Sequence, residues 1–508
     1  MEKQYMDFVN EISGDELYKG LLAFGLFSEK LPPVFTAERF YDYCQINGVT
    51  FQGDAHSYVY YENMRNINVP RPLAIPNPMA YQKLCLFLRD NWSNIKMHFN
   101  SKTHSQHFCV SRIHIRKMHM CPELFQMNYN NWRVDGSPEV EISFGRKYMV
   151  KADISSCFPS IYTHALSWAL ATKEVAKNTR NDRSQWYNKI DQFTRRMTND
   201  ETHGLLIGPH ATNLLSEIIL TTIDKQLENW QYIRAIDDYT CYVDTYEDGL
   251  RFLAELGSVL RSFDLSLNHR KTEILELPLA ATEHWQRRLS SLPLKTDYRK
   301  MDYILVRSYL DHAIEIMHAC KENSAILKYA VKVISGQELT HNAKEYFVKT
   351  ILSLSVLYPY LVTTLDEFVF GKFCIECQND HGCIRKYSEK IYKIGYETNN
   401  YELAAYAVFF AIKYRFQSNE FIEELYVEKA VKSEDCVLLL LLSLYAKENH
   451  VTEITKRLKQ YARTKRDIET FDRLWLFLYE ILPQSDLRGD WKPLKKADIS
   501  FIKPVSQW

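Results

Sequence analysis

The stretch Gln231–Asp244, QYIRAIDDYTCYVD, places two adjacent acids, Asp237 and Asp238, between apolar-rich arms. Two such arms around two turn residues read as a β-hairpin, and the acids read either as turn formers or as half of a metal site. A third acid, Asp153, ends the run YMVKADI, 84 positions before Asp237 (237 − 153). That run reads as a buried strand, and PSIYTHALSWAL beyond it opens a helix with Pro159 near its first turn. Two carboxylates about 4 Å apart repel by about 4 kcal/mol at an effective dielectric near 20, so such a cluster needs cations. Hard oxygen ligands suit Mg²⁺ or Mn²⁺, and two such ions can activate an attacking oxygen and steady a leaving one. Strand, Asp, helix, then an Asp-Asp hairpin therefore point to nucleotidyl transfer.

The elements that must position these acids lie in a chain of 508 residues, more than one core usually serves, so two domains or more are expected. Lys plus Arg equals Asp plus Glu at 63 each, so any basic surface must be local. The first part of the chain, to about residue 290, mixes turn-rich segments such as NVPRPLAIPNP with short β-like runs and amphipathic helices. From about Tyr303 the pattern changes to successive helical stretches, among them YILVRSYLDHAIEIMHACK and EDCVLLLLLSLYAKE. These read as an all-helical domain of stacked, solenoid-like pairs, without a clean sequence period. The N-terminus carries acids early and no long apolar run, and Val437–Leu442 is too short to span a bilayer. Eleven scattered cysteines fit a reducing compartment. The expectation is a cytoplasmic protein with no membrane partner.

The acids also belong to a longer ordered set. ADISSCFPSIYTHAL resembles motif A of reverse transcriptases, NDETHGLLIGPHATNLLSEIIL (Asn199–Leu220) is similar to their motif B, IDDY to motif C and FDLSLNHRKTEIL (Phe263–Leu275) to motif D. Within that superfamily, IYTHALSWAL, ETHG and NVPRPLAIPNPMAYQKLC look like the bacterial abortive-infection reverse transcriptases, the AbiK-like group, and RLWLFLYEIL fits more loosely. The resemblance implies an α+β fold with reverse-transcriptase fingers and palm over residues 1–290, followed by a HEAT-like all-helical domain over 291–508 in place of a thumb.

Carried over by position, the resemblance makes Asp153 and Asp237 the principal metal ligands, with Asp238 as third acid and the backbone carbonyl of Ile154 as a further oxygen. Phe158 matches the bulky position that excludes a 2′-hydroxyl, which implies deoxynucleotide substrates. Lys271 matches a proton donor to the leaving pyrophosphate, or is a solvated lysine near a loop. SRIHIRKM alternates, so Arg112, His114 and Arg116 share a face opposite Ile113 and Ile115. Such arginines suit a triphosphate, and a solvated strand face reads as well. Gly204, Gly208 and Pro209 would let backbone approach a nucleotide, with Asn213 and Ser216 nearby.

Two departures stand out. Ala235 replaces the aromatic residue usual two positions before the first motif C acid, which removes a contact near the primer end. Motif B reads IGPHATN, without the usual Gln. The abortive-infection group implies untemplated DNA synthesis primed by a tyrosine of the protein itself. Its product would be single-stranded DNA, attached to the protein, made by a homo-oligomer in a bacterial cytoplasm. Tyr5 and Tyr18 are the N-terminal candidates for priming, and packed aromatics read equally there. The rival readings are a templated, retron-like RNA-directed DNA polymerase and a catalytically idle palm carrying a helical binding scaffold. A further cluster, Cys374, Cys377, His381 and Cys383, resembles a zinc knuckle in composition, but its short gaps crowd tetrahedral geometry. The segment with His98, His104, His107 and Cys109 is spaced more loosely still.

Overall fold

The computed structural model describes residues 5–52, 54–66, 69–103, 110–111, 116–117, 125–126, 138–182, 184–280, 284–291, 300–373, 381–465 and 467–508. Among these residues the strands form three sheets. A two-stranded antiparallel ribbon pairs β1 (Tyr58–Asn66) with β2 (Val69–Pro76), and a small one pairs β4 (Arg116–Lys117) with β5 (Phe125–Gln126). The central sheet has five strands in the order β3-β7-β8-β6-β9, with β3 (Val110–Ser111), β6 (Tyr148–Asp153), β7 (Tyr232–Ala235), β8 (Asp238–Val243) and β9 (Glu273–Glu276). Only β3 runs parallel to its neighbour, β7.

β6 shows why this sheet forms. Val150 and Ala152 are buried while Lys151 between them is exposed, the two-residue period of a strand with one face on a core. The helix Tyr246–Ser262 covers that face. It is capped by Thr245, whose hydroxyl accepts from the amide of Asp248, and Glu247 and Asp248 complement the positive end of its dipole. Gly249 lets it seat closely: a methyl group there would lie 3.1 Å from Val150 Cγ2 and Ile274 Cδ1.

The helix expected after Asp153 is divided. A four-residue turn of helix, Cys157–Ser160, holds Pro159 at its third position, Ile161 is extended, and a second helix runs His164–Ala171. The interruption lets Tyr162 bridge to His203, which ties the segment after Asp153 to the loop before the long helix His210–Gln226. SRIHIRKM is divided as well. Ser111 ends β3, Arg116 opens β4 opposite Gln126, and Arg112 lies outside the described residues.

From Tyr303 on, every regular element described is a helix. Successive helices pack on their chain neighbours, Tyr303–Ala319 on both Ser324–Ser335 and His341–Leu357, and His381–Glu397 on Tyr401–Lys413. Cys436–Glu448 and Tyr401–Lys413 are apolar nearly all round and form the centre of this part. No described helix is long and apolar enough to cross a membrane.

One continuous apolar cluster runs from Val9 to Phe501. The C-terminal helices close on the β1–β2 ribbon, where Glu402 accepts from Asn63 Nδ2 and the Met64 amide, both at 2.7 Å. The end of the chain returns to its beginning. The Thr36 amide donates to Phe501 at 2.9 Å and the Lys503 amide to Val34 at 2.8 Å.

Candidate active site

Sheet register brings the three acids together. Asp153, last in β6, lies opposite Asp238, first in β8, and Asp238 pairs in turn with Ala235 at the end of β7. The two-residue turn is therefore Ile236-Asp237 rather than Asp237-Asp238, one position earlier than the acid pair suggests. The Ile154 amide donates to the Asp237 carbonyl at 3.1 Å, which locks the turn against the chain leaving β6. One carboxylate oxygen from each of Asp153, Asp237 and Asp238 lies within 4.8 Å of the other two. Asp153 is buried and Asp238 exposed.

Asp153 is held by hydrogen bonds at three points. Its carboxylate accepts from Lys271 Nζ at 2.8 Å and from Asn268 Nδ2 at 2.8 Å, and its carbonyl accepts from the Asn268 amide at 2.7 Å. Burial pushes its pKa up, but donation from Lys271, Asp238 and Asn268 outweighs that and holds it below the ordinary value. The partly desolvated surroundings of Asp238, its hydrogen bond to Asp153 and the charge of Asp237 push it the other way, to about 7. Asp237 is raised by burial and by Asp153. Asp153 and Asp238 therefore share a proton near neutral pH. That is the donor set a hard divalent ion fits: three convergent carboxylates, one able to exchange its proton for metal charge. Such an ion, when bound, supplies Lewis-acid stabilisation to a transferring phosphoryl group.

Lys271 is exposed in the turn before β9, but its ammonium is tied to Asp153. Burial lowers its pKa, but the bond to Asp153 wins and raises it, so the ammonium is charged and fixed beside the acids. Phe158, half-buried, is the second residue of the short helix, and its carbonyl accepts from the Leu205 amide at 2.8 Å. Gly204 and Gly208 have positive φ of 93° and 129°. Their close approaches are to protein backbone: a methyl group would lie 3.2 Å from the Pro159 carbonyl oxygen in the first case and 3.1 Å from that of Ala74 in the second. Pro209 caps the helix His210–Gln226 with extended backbone. The loop from Gly204 to Pro209 is therefore clasped between the segment after Asp153 and β2. Asn213 and Ser216 lie on the helix itself, and the Ser216 hydroxyl donates back to the Asn213 carbonyl.

Beneath the turn lies a group of charges that the sequence reading missed. Arg234 is fully buried, its Nε and Nη2 donate to Asp224 and its Nη1 and Nη2 to Glu217, at 2.7 to 3.1 Å. Its Nη1 also donates to the carbonyl of Ile236 at 2.8 Å. Tyr232 donates to Asp224 at 2.9 Å and Tyr5 to Glu217 at 2.9 Å. A signal existed: Glu217 and Asp224 stand seven apart, placing two charges on one face of the helix, and Arg234 interrupts an apolar strand.

Neither priming candidate offers a free hydroxyl. Tyr5 is committed to Glu217, and Tyr18 is buried with its oxygen accepting from Gln82 Nε2 at 3.0 Å. Cys374 and Cys377 lie outside the described residues, as do His104, His107 and Cys109; Cys383 is half-buried on a helix. His98 bonds the Ile218 carbonyl through Nε2 at 3.1 Å, the role of a packed core histidine.

Among solved structures, the chain matches apo telomerase from Candida tropicalis truncated from its C-terminal domain at 12% identity and TM-score 0.27, covering 47% of this chain and 55% of that one. Full apo telomerase from the same organism matches at 11% identity and TM-score 0.31, over 87% of this chain and 74% of that one. Telomerase from Candida albicans with a fragment of telomeric RNA matches at 9% identity and TM-score 0.28, over 87% and 70%. The chain thus spans about half the length of the first of these. A search of curated protein sequences finds no match. Residues 93–323 match the family profile described as reverse transcriptase (RNA-dependent DNA polymerase), and they span Asp153, the Asp237–Asp238 hairpin and Lys271. Residues 93–323 thus match a reverse transcriptase domain, and the elements described beyond Tyr303 are all helices.

Proposed function

We propose that this protein adds deoxynucleotides to a growing DNA strand by metal-assisted nucleotidyl transfer at Asp153, Asp237 and Asp238, with Mg²⁺ or Mn²⁺ as the ion. The observation that carries the reading is the convergence of three carboxylates on one point at the mouth of a reverse-transcriptase sheet. In this reading Asp153 and Asp237 hold the ions, with the Ile154 carbonyl as a further oxygen. Asp238 gives up the proton it shares with Asp153. Lys271, charged and already beside the acids, is placed to pass a proton to the departing pyrophosphate. Phe158 sets the sugar preference, and Arg112 and Arg116 meet the triphosphate.

The finer reading is template-independent synthesis primed by a protein tyrosine, acting in abortive-infection defence against phage as a homo-oligomer of the AbiK-like kind. Supporting it are the motif A and B resemblances and Ala235, whose methyl side chain offers no ring at the end of β7 to a primer terminus. The engaged hydroxyls of Tyr5 and Tyr18 turn the search for a priming tyrosine toward other positions. Purified protein incubated with deoxynucleotides and Mg²⁺ or Mn²⁺, without template, would then be examined by mass spectrometry. A nucleotide ladder on one tyrosine is expected, and synthesis that starts only on added RNA template would replace this reading with a retron-like one.

A further inference from the structure

A cavity of about 650 Å³ lies between the helices His164–Ala171, Lys173–Asn178 and Trp186–Arg195. Its aromatic wall is Tyr162 and Trp168, ring centroids 5.7 Å apart. Trp168 is steadied by Lys173, whose ammonium sits 3.9 Å from the ring centroid. Lys177, Arg180 and Lys189 also line the cavity, and none of the three has a carboxylate partner among the described residues. In a chain whose charges balance overall, three uncompensated cations around one concavity are a local field. The floor is different. Asp191 is 7% exposed, with one oxygen bonded to His164 Nδ1 at 2.5 Å and the other, Oδ1, ion-paired with Arg195 Nε at 3.6 Å.

We infer that this cavity binds single-stranded nucleic acid, with a base against Tyr162 and Trp168 and the backbone phosphates on Lys177, Arg180 and Lys189. A phosphate site alone would have no use for two aromatic rings, whereas a strand uses both the rings and the cations. An apolar small molecule would not call for the cations. The placement suits a strand that meets the catalytic acids: Tyr162 is nine residues beyond Asp153 (162 − 153), so the two lie within about 30 Å even if the link were fully extended. The inference rests on the polymerase reading for the origin of the strand, but its binding chemistry does not require turnover.

The test measures binding of fluorescent oligothymidylate by anisotropy, using full-length Asp237→Ala protein without nucleotides, so that no synthesis contributes. Adding Lys177→Glu and Arg180→Glu is expected to weaken binding roughly ten-fold or more and to lower the salt slope by about 0.7 per lost phosphate contact. Trp168→Ala should weaken it about five-fold or more. The matched reversal Lys386→Glu with Lys390→Glu, exposed on the helix His381–Glu397, should leave affinity within about two-fold. Equal losses in both reversal pairs, or none in either, would overturn the site. So would full displacement by millimolar inorganic phosphate together with an unchanged Trp168→Ala. Parallel oligouridylate and oligothymidylate titrations tell an RNA strand from a DNA product. Thermal unfolding midpoints matched to the parent exclude misfolding as the cause, and nucleotide incorporation by the unmutated protein reports separately on the polymerase reading.

Discussion

Arg234 Nη1 donates a hydrogen bond of 2.8 Å to the carbonyl of Ile236, so the turn that carries Asp237 hangs from a guanidinium that solvent does not reach. Arg234 can be buried there because Glu217 and Asp224 supply two negative charges around its fork. Those two acids over-compensate one cation, and burial drives Asp224 above its ordinary pKa against the pull of Arg234. The hydroxyls of Tyr232 and Tyr5 donate into the same group. The Asp237–Asp238 hairpin is thus supported by the helix His210–Gln226 and, through Tyr5, by the first described helix, Tyr5–Asn10.

Arg234→Met would leave Glu217 and Asp224 buried without their counter-charge, at a cost of about 3–5 kcal/mol in urea unfolding. Neutralising the acids as well, in the triple variant Arg234→Met, Glu217→Gln, Asp224→Asn, should restore most of that. The triple variant still lacks the bond to Ile236. Nucleotide incorporation should therefore stay low in kcat with KM little changed, which separates positioning of the turn from global stability. Full recovery of kcat would show that the guanidinium does not hold the turn.

Ile236 has φ of 58°, a region that a β-branched residue enters only under strain. Ile236→Gly removes that strain, and the unfolding free energy should rise or hold level, with about 1 kcal/mol released against the extra freedom of glycine in the unfolded chain. Activity should fall, because a looser turn presents Asp237 in more than one place. A variant both less stable and fully active would reverse this account.

Asp237→Ala removes one of three mutually repelling carboxylates. In EDTA its thermal midpoint should equal or exceed that of the parent. Mn²⁺ should raise the midpoint of the parent, by the equivalent of about 2.7 kcal/mol at a hundred times its dissociation constant. It should leave the variant nearly unmoved and without nucleotide incorporation. A metal-induced shift of equal size in both proteins would place the ion elsewhere.

The acids, β6, the hairpin and the switch to helices at Tyr303 were legible because each is a local pattern of burial period and turn chemistry. The turn register was not. Asp237 and Asp238 are both good turn residues and Ile236 is a poor one, yet the pairing of Asp153 with Asp238 across β6 and β8 overrides local preference. The break at Ile161 depends likewise on Tyr162 meeting His203, a contact the helical run itself does not encode. Asn268 lay in view within the motif D segment, but its grip on Asp153 needs the loop before β9 folded back onto β6. The glycines of the motif B loop were read as openings toward a nucleotide, whereas their nearest neighbours are Pro159 and Ala74.

The joint between the β1–β2 ribbon and the C-terminal helices carries a pH dependence. Glu402 is fully buried, and burial raises its pKa to about 7 against the opposing pull of the Met64 amide and Asn63. Asp435, which caps the helix Cys436–Glu448, is raised by burial to about 6. In both cases the folded protein holds a proton that the unfolded chain releases at lower pH. Their contribution is therefore fully present below the unfolded carboxylate pKa values near 4, and is lost as pH rises to about 6 for Asp435 and about 7 for Glu402. The loss attributable to Glu402 is on the order of 3 kcal/mol. Glu402→Gln cannot ionise, so unfolding measured between pH 4.5 and pH 8 should show a flatter profile than the parent, with the gap between the two curves changing as pH rises to about 7 and staying constant above it. Parallel curves throughout would mean that Glu402 is charged in the folded protein, its three donors having overcome burial.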